Sequence, residues 1–223
     1  FELLRGKDKK KDQSYFLYEL TEKDLSKIIF PIGNFTKEEV REIAKKNNFP
    51  NWDKKGTSGI CFVGKVDMKE FLKKKIKEKK GKVVSPEGEI IGEHRGANFF
   101  TIGERIGERK GCKIFSDARK KFHEKLYVAE KKGNNIIVAP ENHALLKRKK
   151  LFIKNIHFVN RKKIGDMKAR IRHLGELNKG KLRKESDRFV FEFDKPQKGI
   201  AEGQSLVIYD GEKVAGGGEM RFG

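Results

Sequence analysis

Cysteine is scarce. Cys61 and Cys112 are the only two in 223 residues, too few for the disulfide framework on which small secreted domains rely. Long apolar runs are missing too: no stretch approaches the roughly 20 residues of a membrane span, and no signal peptide is visible. The five histidines, at positions 94, 123, 143, 157 and 173, form no cluster. The two cysteines are not at metal-ligand spacing either, which argues against a zinc site. No phosphate-cradling loop of the Walker or dinucleotide kind occurs, so any nucleotide must bind outside these residues. Acidic charge is the last shortage, with 32 Asp and Glu against 53 Lys and Arg. The default expectation is a reducing, cytoplasmic setting without membrane or metal, and the protein is expected to be monomeric.

The resulting net charge is +21. Such an excess favours a polyanionic partner, because each phosphate neutralised by Lys or Arg releases condensed counterions. The bland alternative is a lysine-rich background, seen in helical runs such as Lys73-Lys74-Lys75. Hydrophobic residues make up 36% of the chain, charged residues 38%, and there are 17 Phe. That is enough bulky apolar material to exclude wholesale disorder. The length accommodates one large domain or two to three small ones. Phe1 stands where an initiator Met would be, and the expectation is a fragment whose N-terminal part is absent.

Periodicity divides the chain. Residues 13–47 read as helical, with Tyr15, Phe16, Leu17 and Leu20 grouped, a second run from Thr21 that ends at Pro31, and a capping-box signal at Thr36 and Glu39. The apolar run Ile60-Cys61-Phe62-Val63 follows, then a helix from Asp67 to Ile76. Beyond Gly81 the period shortens to that of strands, with a hairpin around Pro86-Glu87-Gly88. After Lys125 the reading is all strand. A hairpin closes at Gly133-Asn134-Asn135, and further strands lie at 152–159, 169–174, 189–193 and 205–209. Six or seven short antiparallel strands fit a small closed barrel, which removes exposed edges. Gly216-Gly217-Gly218, with no helix after it, reads as a bend at a barrel corner.

Several residues could carry chemistry. Cys61 among apolar neighbours reads locally as a buried thiol, and as a reactive one only if cations such as Lys54 and Lys55 lower its pKa. Cys112, between Lys110 and Lys113, has cations that would favour a thiolate but no catalytic companion. At Lys11-Asp12-Gln13, Asp12 is either a helix N-cap beside solvated neighbours or part of a polar trio for phosphate and base edges. Strand alternation places Arg170 and Arg172 on one face and His173 on the other. That face is either an RNA platform, with His173 able to stack on a base, or an ordinary solvated surface.

Taken in order, the motifs form one pattern. Leu3-Leu4-Arg5-Gly6, Lys11-Asp12-Gln13-Ser14-Tyr15-Phe16-Leu17, Phe30-Pro31-Ile32-Gly33, the run from Lys37 to Ala44, Ser58-Gly59-Ile60-Cys61-Phe62, Phe100-Thr101-Ile102-Gly103-Glu104-Arg105, Gly203-Gln204-Ser205 and the triple glycine resemble the tRNA-specific 2-thiouridylases (the MnmA family) over nearly the whole chain. The chain departs from the family at Ser58, often Gln there, and at His173, often Tyr.

The resemblance implies an α+β, multidomain protein. Residues 1–58 would be the helical C-terminal part of an α/β PP-loop domain, residues 59–124 a small mixed central domain, and residues 125–223 an antiparallel β-barrel that grips tRNA. It implies ATP-dependent sulfur transfer to the wobble uridine, with ATP held by the missing N-terminal domain. Cys61 would carry sulfur as a persulfide received from a donor protein, either a cysteine desulfurase or a relay. The tRNA contacts it implies are Lys11, Asp12, Gln13, Arg172, His173 and Gln204. The competing class is a non-catalytic basic RNA-binding module.

Overall fold

The computed structural model describes residues 1–54, 71–72, 74–108 and 111–222. The run Ile60–Val63 with Cys61, and most of the helix expected from Asp67, lie outside the described residues. The chain divides into two compact units. One comprises Phe1–Lys55, Lys149–Pro196 and Glu202–Gly223, and the other Gly56–Arg148 with Gln197–Ala201. Among the described residues no helix is long and apolar enough to cross a membrane.

Helix formation in the first unit is local and capped. After a single 3-10 turn at Ser14–Phe16, helix α1 covers Glu22–Leu25 and helix α2 covers Lys37–Lys46. Thr36 behaves as its spacing predicts: its Oγ accepts from the Glu39 amide at 3.2 Å, and the Glu39 carboxylate accepts from the Thr36 amide at 2.6 Å. These bonds satisfy amides that the first helical turn leaves unpaired. The run around Tyr15 does not become a longer helix. The reason is tertiary, since Tyr15 is drawn into the unit's core while Phe16 is left outside.

The second unit is built on a five-stranded sheet. Strands β1 (Gly81–Val84), β2 (Ile90–His94), β3 (Cys112–Ile114), β4 (Leu126–Lys132) and β5 (Asn135–Pro140) are ordered β3-β2-β1-β5-β4. Helix α3 (Ser116–Lys121) follows β3. The Pro86–Gly88 turn closes the β1–β2 hairpin as expected. The β4–β5 hairpin also forms, but its partner differs from the expectation: it joins β1 through parallel pairing of Val83 with Ile136 and Val84 with Ile137, not the barrel. Val128, Ile136 and Val138 thereby share a core with Val83, Ile91, Phe100 and Cys112. A turn signature specifies which two strands pair with each other, but not which sheet accepts the hairpin's outer edge.

The barrel is a closed ring of six strands in the first unit's region of the chain. β6 (Lys147–Phe158), β7 (Gly165–Arg170), β8 (Asn178–Glu185), β9 (Arg188–Lys198), β10 (Ser205–Asp210) and β11 (Lys213–Arg221) run β10-β11-β6-β9-β8-β7, and β7 closes on β10. β8 escapes a reading for apolar runs because Leu182 is its one large apolar residue, alternating with outward Lys and Arg. β10 is buried continuously from Leu206 to Tyr209 because both its faces are covered there. Val207 and Tyr209 pack outward against Leu3, Tyr15 and Leu25, while Leu206 and Ile208 alternate to the interior. The N-terminal residues extend this contact: the Val214 amide donates to the Leu3 carbonyl at 2.8 Å, and the Arg5 amide to that of Glu212 at 2.9 Å.

The triple glycine sits within β11, where pairing with β6 shifts register between Gly217 and Glu219. A Cβ on Gly217 would lie 2.6 Å from the Leu206 carbonyl oxygen and 2.7 Å from the Tyr18 ring. The absence of side chains lets strand and ring approach that closely. Gly217→Val is expected to destabilise the barrel by about 1–3 kcal/mol through overpacking. Gly107→Ala, where an added methyl meets nothing within 4 Å, is expected to leave the unfolding midpoint unchanged. Parallel thermal unfolding of the two variants checks this.

Candidate nucleic-acid interface

The loop from Arg5 to Phe16 is organised around one carboxylate. Asp12 has no exposed side-chain surface, and the side chains of Arg5 and Arg170 are only 8% and 5% exposed. Asp12 Oδ2 accepts from Arg5 Nε at 3.3 Å and from Arg170 Nη1 at 3.0 Å. Its Oδ1 accepts from the backbone amides of Gly6 at 3.2 Å and Ser14 at 3.1 Å. Burial works to raise the Asp12 pKa, but hydrogen bonds from Ser14, Gly6 and Arg170 outweigh it and hold the carboxyl below its ordinary value. Both guanidinium groups also lie over the buried Tyr209 ring, 5.9 Å and 5.4 Å from its centroid.

With its centre pinned, the loop turns other side chains outward. Lys11 and Gln13, on either side of Asp12, are exposed. The Gln13 amide nitrogen lies 3.4 Å from His173 Nε2, across 160 positions of sequence. In the 3-10 turn that follows, Tyr15 is buried and its hydroxyl donates to the Ser205 carbonyl at 2.7 Å. That bond anchors the residue next to Gln204, which is itself exposed. Burial lowers the His173 pKa below its ordinary value, Asp12 acting against this and Arg170 with it, so the ring is neutral near pH 7.

The structure therefore gathers Lys11, Gln13, Arg172, His173 and Gln204 around one edge of the unit. Asp12, expected with its neighbours to meet RNA, presents no carboxylate surface and instead supports them from below. The expected strand alternation of Arg170 and Arg172 also fails. β7 ends at Arg170, and the chain then turns, with the Gly175 amide donating to the Arg172 carbonyl at 3.1 Å and Leu174 at φ 54°. Arg170 is thus sealed against Asp12 while Arg172 is exposed.

Cys61 lies outside the described residues. Cys112 does not match its basic sequence surroundings: it sits in the second unit's core, and burial pushes its thiol up to about 11. Arg5, Phe16 and Tyr209 belong to the interface region and were not singled out from the sequence. A basic residue, an exposed ring and a strand aromatic carry no local signal of this kind.

Models of three domain families match the chain in succession: the tRNA methyl transferase HUP domain over residues 1–65, the tRNA methyl transferase PRC-barrel domain over 69–140 and the aminomethyltransferase beta-barrel domain over 148–220. Among curated proteins, the chain is 37% identical to tRNA-specific 2-thiouridylase MnmA 2 of Aliarcobacter butzleri, over 100% of the chain and 62% of that protein. It is 40% identical to tRNA-specific 2-thiouridylase MnmA 1 of Geobacillus kaustophilus, over 96% of the chain and 58% of the relative. A third relative, tRNA-specific 2-thiouridylase MnmA of Neisseria meningitidis, is 39% identical over 97% of the chain and 58% of its own length. The chain thus spans about 60% of the length of these relatives.

Asp12→Ala strands the buried Arg170 guanidinium and leaves Arg5 with Glu212 alone, at 3.1 Å, and an expected loss of about 3–5 kcal/mol follows, as for other broken buried pairs. The depressed Asp12 pKa makes its contribution fully present above the ordinary carboxylate value and lost as pH falls through the lower folded-state value. The stability gap between wild type and Asp12→Asn is therefore expected to narrow below about pH 4. Urea denaturation across pH measures both effects.

Proposed function

Because the chain belongs to the tRNA-specific 2-thiouridylase family, we propose that it is the tRNA-gripping and sulfur-carrying part of an enzyme that thiolates the wobble uridine of tRNA. The observation that carries the reading is the contact of Gln13 with His173 beside exposed Lys11 and Arg172. Segments far apart in sequence meet there to make a cationic edge with amide and imidazole groups. Cations suit phosphates, and amides and rings suit base edges and faces. In this reading Lys11, Gln13, Arg172, His173 and Gln204 touch tRNA, while Asp12 fixes the loop that carries the first two.

Residues 1–58 would close a PP-loop domain that binds ATP. The match of residues 1–65 to a HUP domain supports this. So do the exposed apolar side chains of Ile29, Ile32, Phe49 and Trp52, which suit packing against the rest of such a domain. ATP there would adenylate the C2 oxygen of the uridine and turn it into a leaving group. Cys61, loaded as a persulfide by a donor protein, would then deliver its outer sulfur to C2 as AMP departs, and a second cysteine of the N-terminal domain would attack the Cys61 sulfur, break the S–S bond and end as a disulfide with Cys61. A thiolate-derived persulfide is a strong nucleophile for the attack on C2.

Three outcomes are expected. Affinity for tRNA falls linearly in log–log against salt, and Arg172→Ala weakens it by about 1–3 kcal/mol; filter-binding titrations at several salt concentrations measure both. Cys61→Ser in the full-length enzyme leaves tRNA binding intact and abolishes 2-thiouridine, read by nucleoside mass spectrometry of tRNA from cells carrying only the variant. Normal 2-thiouridine there would sink the assignment of Cys61 as sulfur carrier and return it to the structural-thiol reading, whereas a full-length wild-type protein that binds tRNA and forms no 2-thiouridine would leave a non-catalytic basic RNA-binding module.

A further inference from the structure

Phe16 stands out on the first unit's surface. Its ring is 60% exposed, although it belongs to a 3-10 turn whose other two residues, Ser14 and Tyr15, are buried. One flank of the ring is occupied: it packs edge-on to Tyr15 with centroids 5.5 Å apart and planes at 88°. The His173 imidazole lies 4.5 Å away at 37°. Tyr15, held by its bond to the Ser205 carbonyl, and His173, held beside Gln13, therefore fix the orientation of a ring that stays open to solvent.

We propose that Phe16, with His173 behind it, is a stacking platform for one unpaired base of the bound RNA. This inference rests on the RNA-binding reading and adds the group that is recognised. The surroundings favour a base over an apolar segment of a partner protein. The exposed residues Lys11, Gln13 and Arg172, which flank Asp12 and His173, are polar and suit a nucleotide's phosphates and base edge better than an apolar segment. Cations within reach can hold the phosphates on either side of a splayed nucleotide, and the Gln13 amide can donate to or accept from its edge. Single-stranded RNA is commonly held this way, on aromatic rings inside a basic groove. The lowered His173 pKa keeps the second ring neutral near pH 7.

The test uses the full-length protein and two RNAs, an anticodon stem–loop and the same stem as an uninterrupted duplex. Phe16→Ala and Phe16→Leu are expected to weaken stem–loop binding about tenfold, or about 1.4 kcal/mol, within the range found for removing a base-stacking ring. Duplex binding and melting temperature stay at wild-type values. Phe16→Trp is expected to bind the stem–loop like wild type, with fluorescence quenched on binding beyond any change in the wild-type protein. Equal affinity of Phe16→Leu and wild type for the stem–loop overturns the platform while leaving the RNA-binding reading intact. A melting temperature that falls along with affinity in Phe16→Leu, and is not restored in Phe16→Trp, assigns the ring to packing and also overturns it. A wild-type protein that binds neither RNA overturns both.

Discussion

The buried Asp12 carboxylate is the interaction on which the candidate interface depends. Two guanidinium groups taken out of water are expensive unless an anion meets them in good geometry, and Asp12 meets both, with two backbone amides on its other oxygen. Arg5 comes from the N-terminal segment and Arg170 from the end of β7, so one ionised group ties together pieces of chain 165 positions apart. Lys11 and Gln13 are covalently next to that knot, and Arg172 and His173 are two and three residues beyond it. A disturbance at Asp12 therefore reaches every one of them, Gln13 and His173 also through their direct contact.

The barrel makes this possible through β10, whose Leu206–Tyr209 stretch is covered on both faces. Val207 and Tyr209 give the N-terminal segment a surface to pack on, and the Tyr209 ring then sits beneath both arginines. The glycines of β11 complete the arrangement, because only a strand without side chains there lets Tyr18 and β10 come so near. The Tyr18 hydroxyl in turn lies 3.1 Å from Ser205 Oγ, next to Gln204. Packing and the exposed polar groups of the candidate interface thus depend on the same few residues.

Much was legible in the sequence because it depends on local chemistry. The Thr36–Glu39 cap, the hairpin turn at Pro86–Gly88, the strand periods after Gly81 and the charge of +21 each follow from neighbouring residues or from composition. The ordered motifs brought Lys11, Gln13, Arg172, His173 and Gln204 into view as a set.

What the tertiary structure decided is where long-range partners lie. Nothing in Lys11-Asp12-Gln13 says that the middle residue is sealed and its neighbours are exposed; that follows from Arg170 arriving from β7. Arg170 and Arg172 look equivalent by alternation until the chain turns after β7. Cys112 reads as a thiolate among lysines, yet its thiol is pushed up because the fold buries it. The β4–β5 hairpin could have joined either sheet. In each case sequence reports covalent neighbours and period, whereas burial and ion pairing are set by segments that only folding brings together.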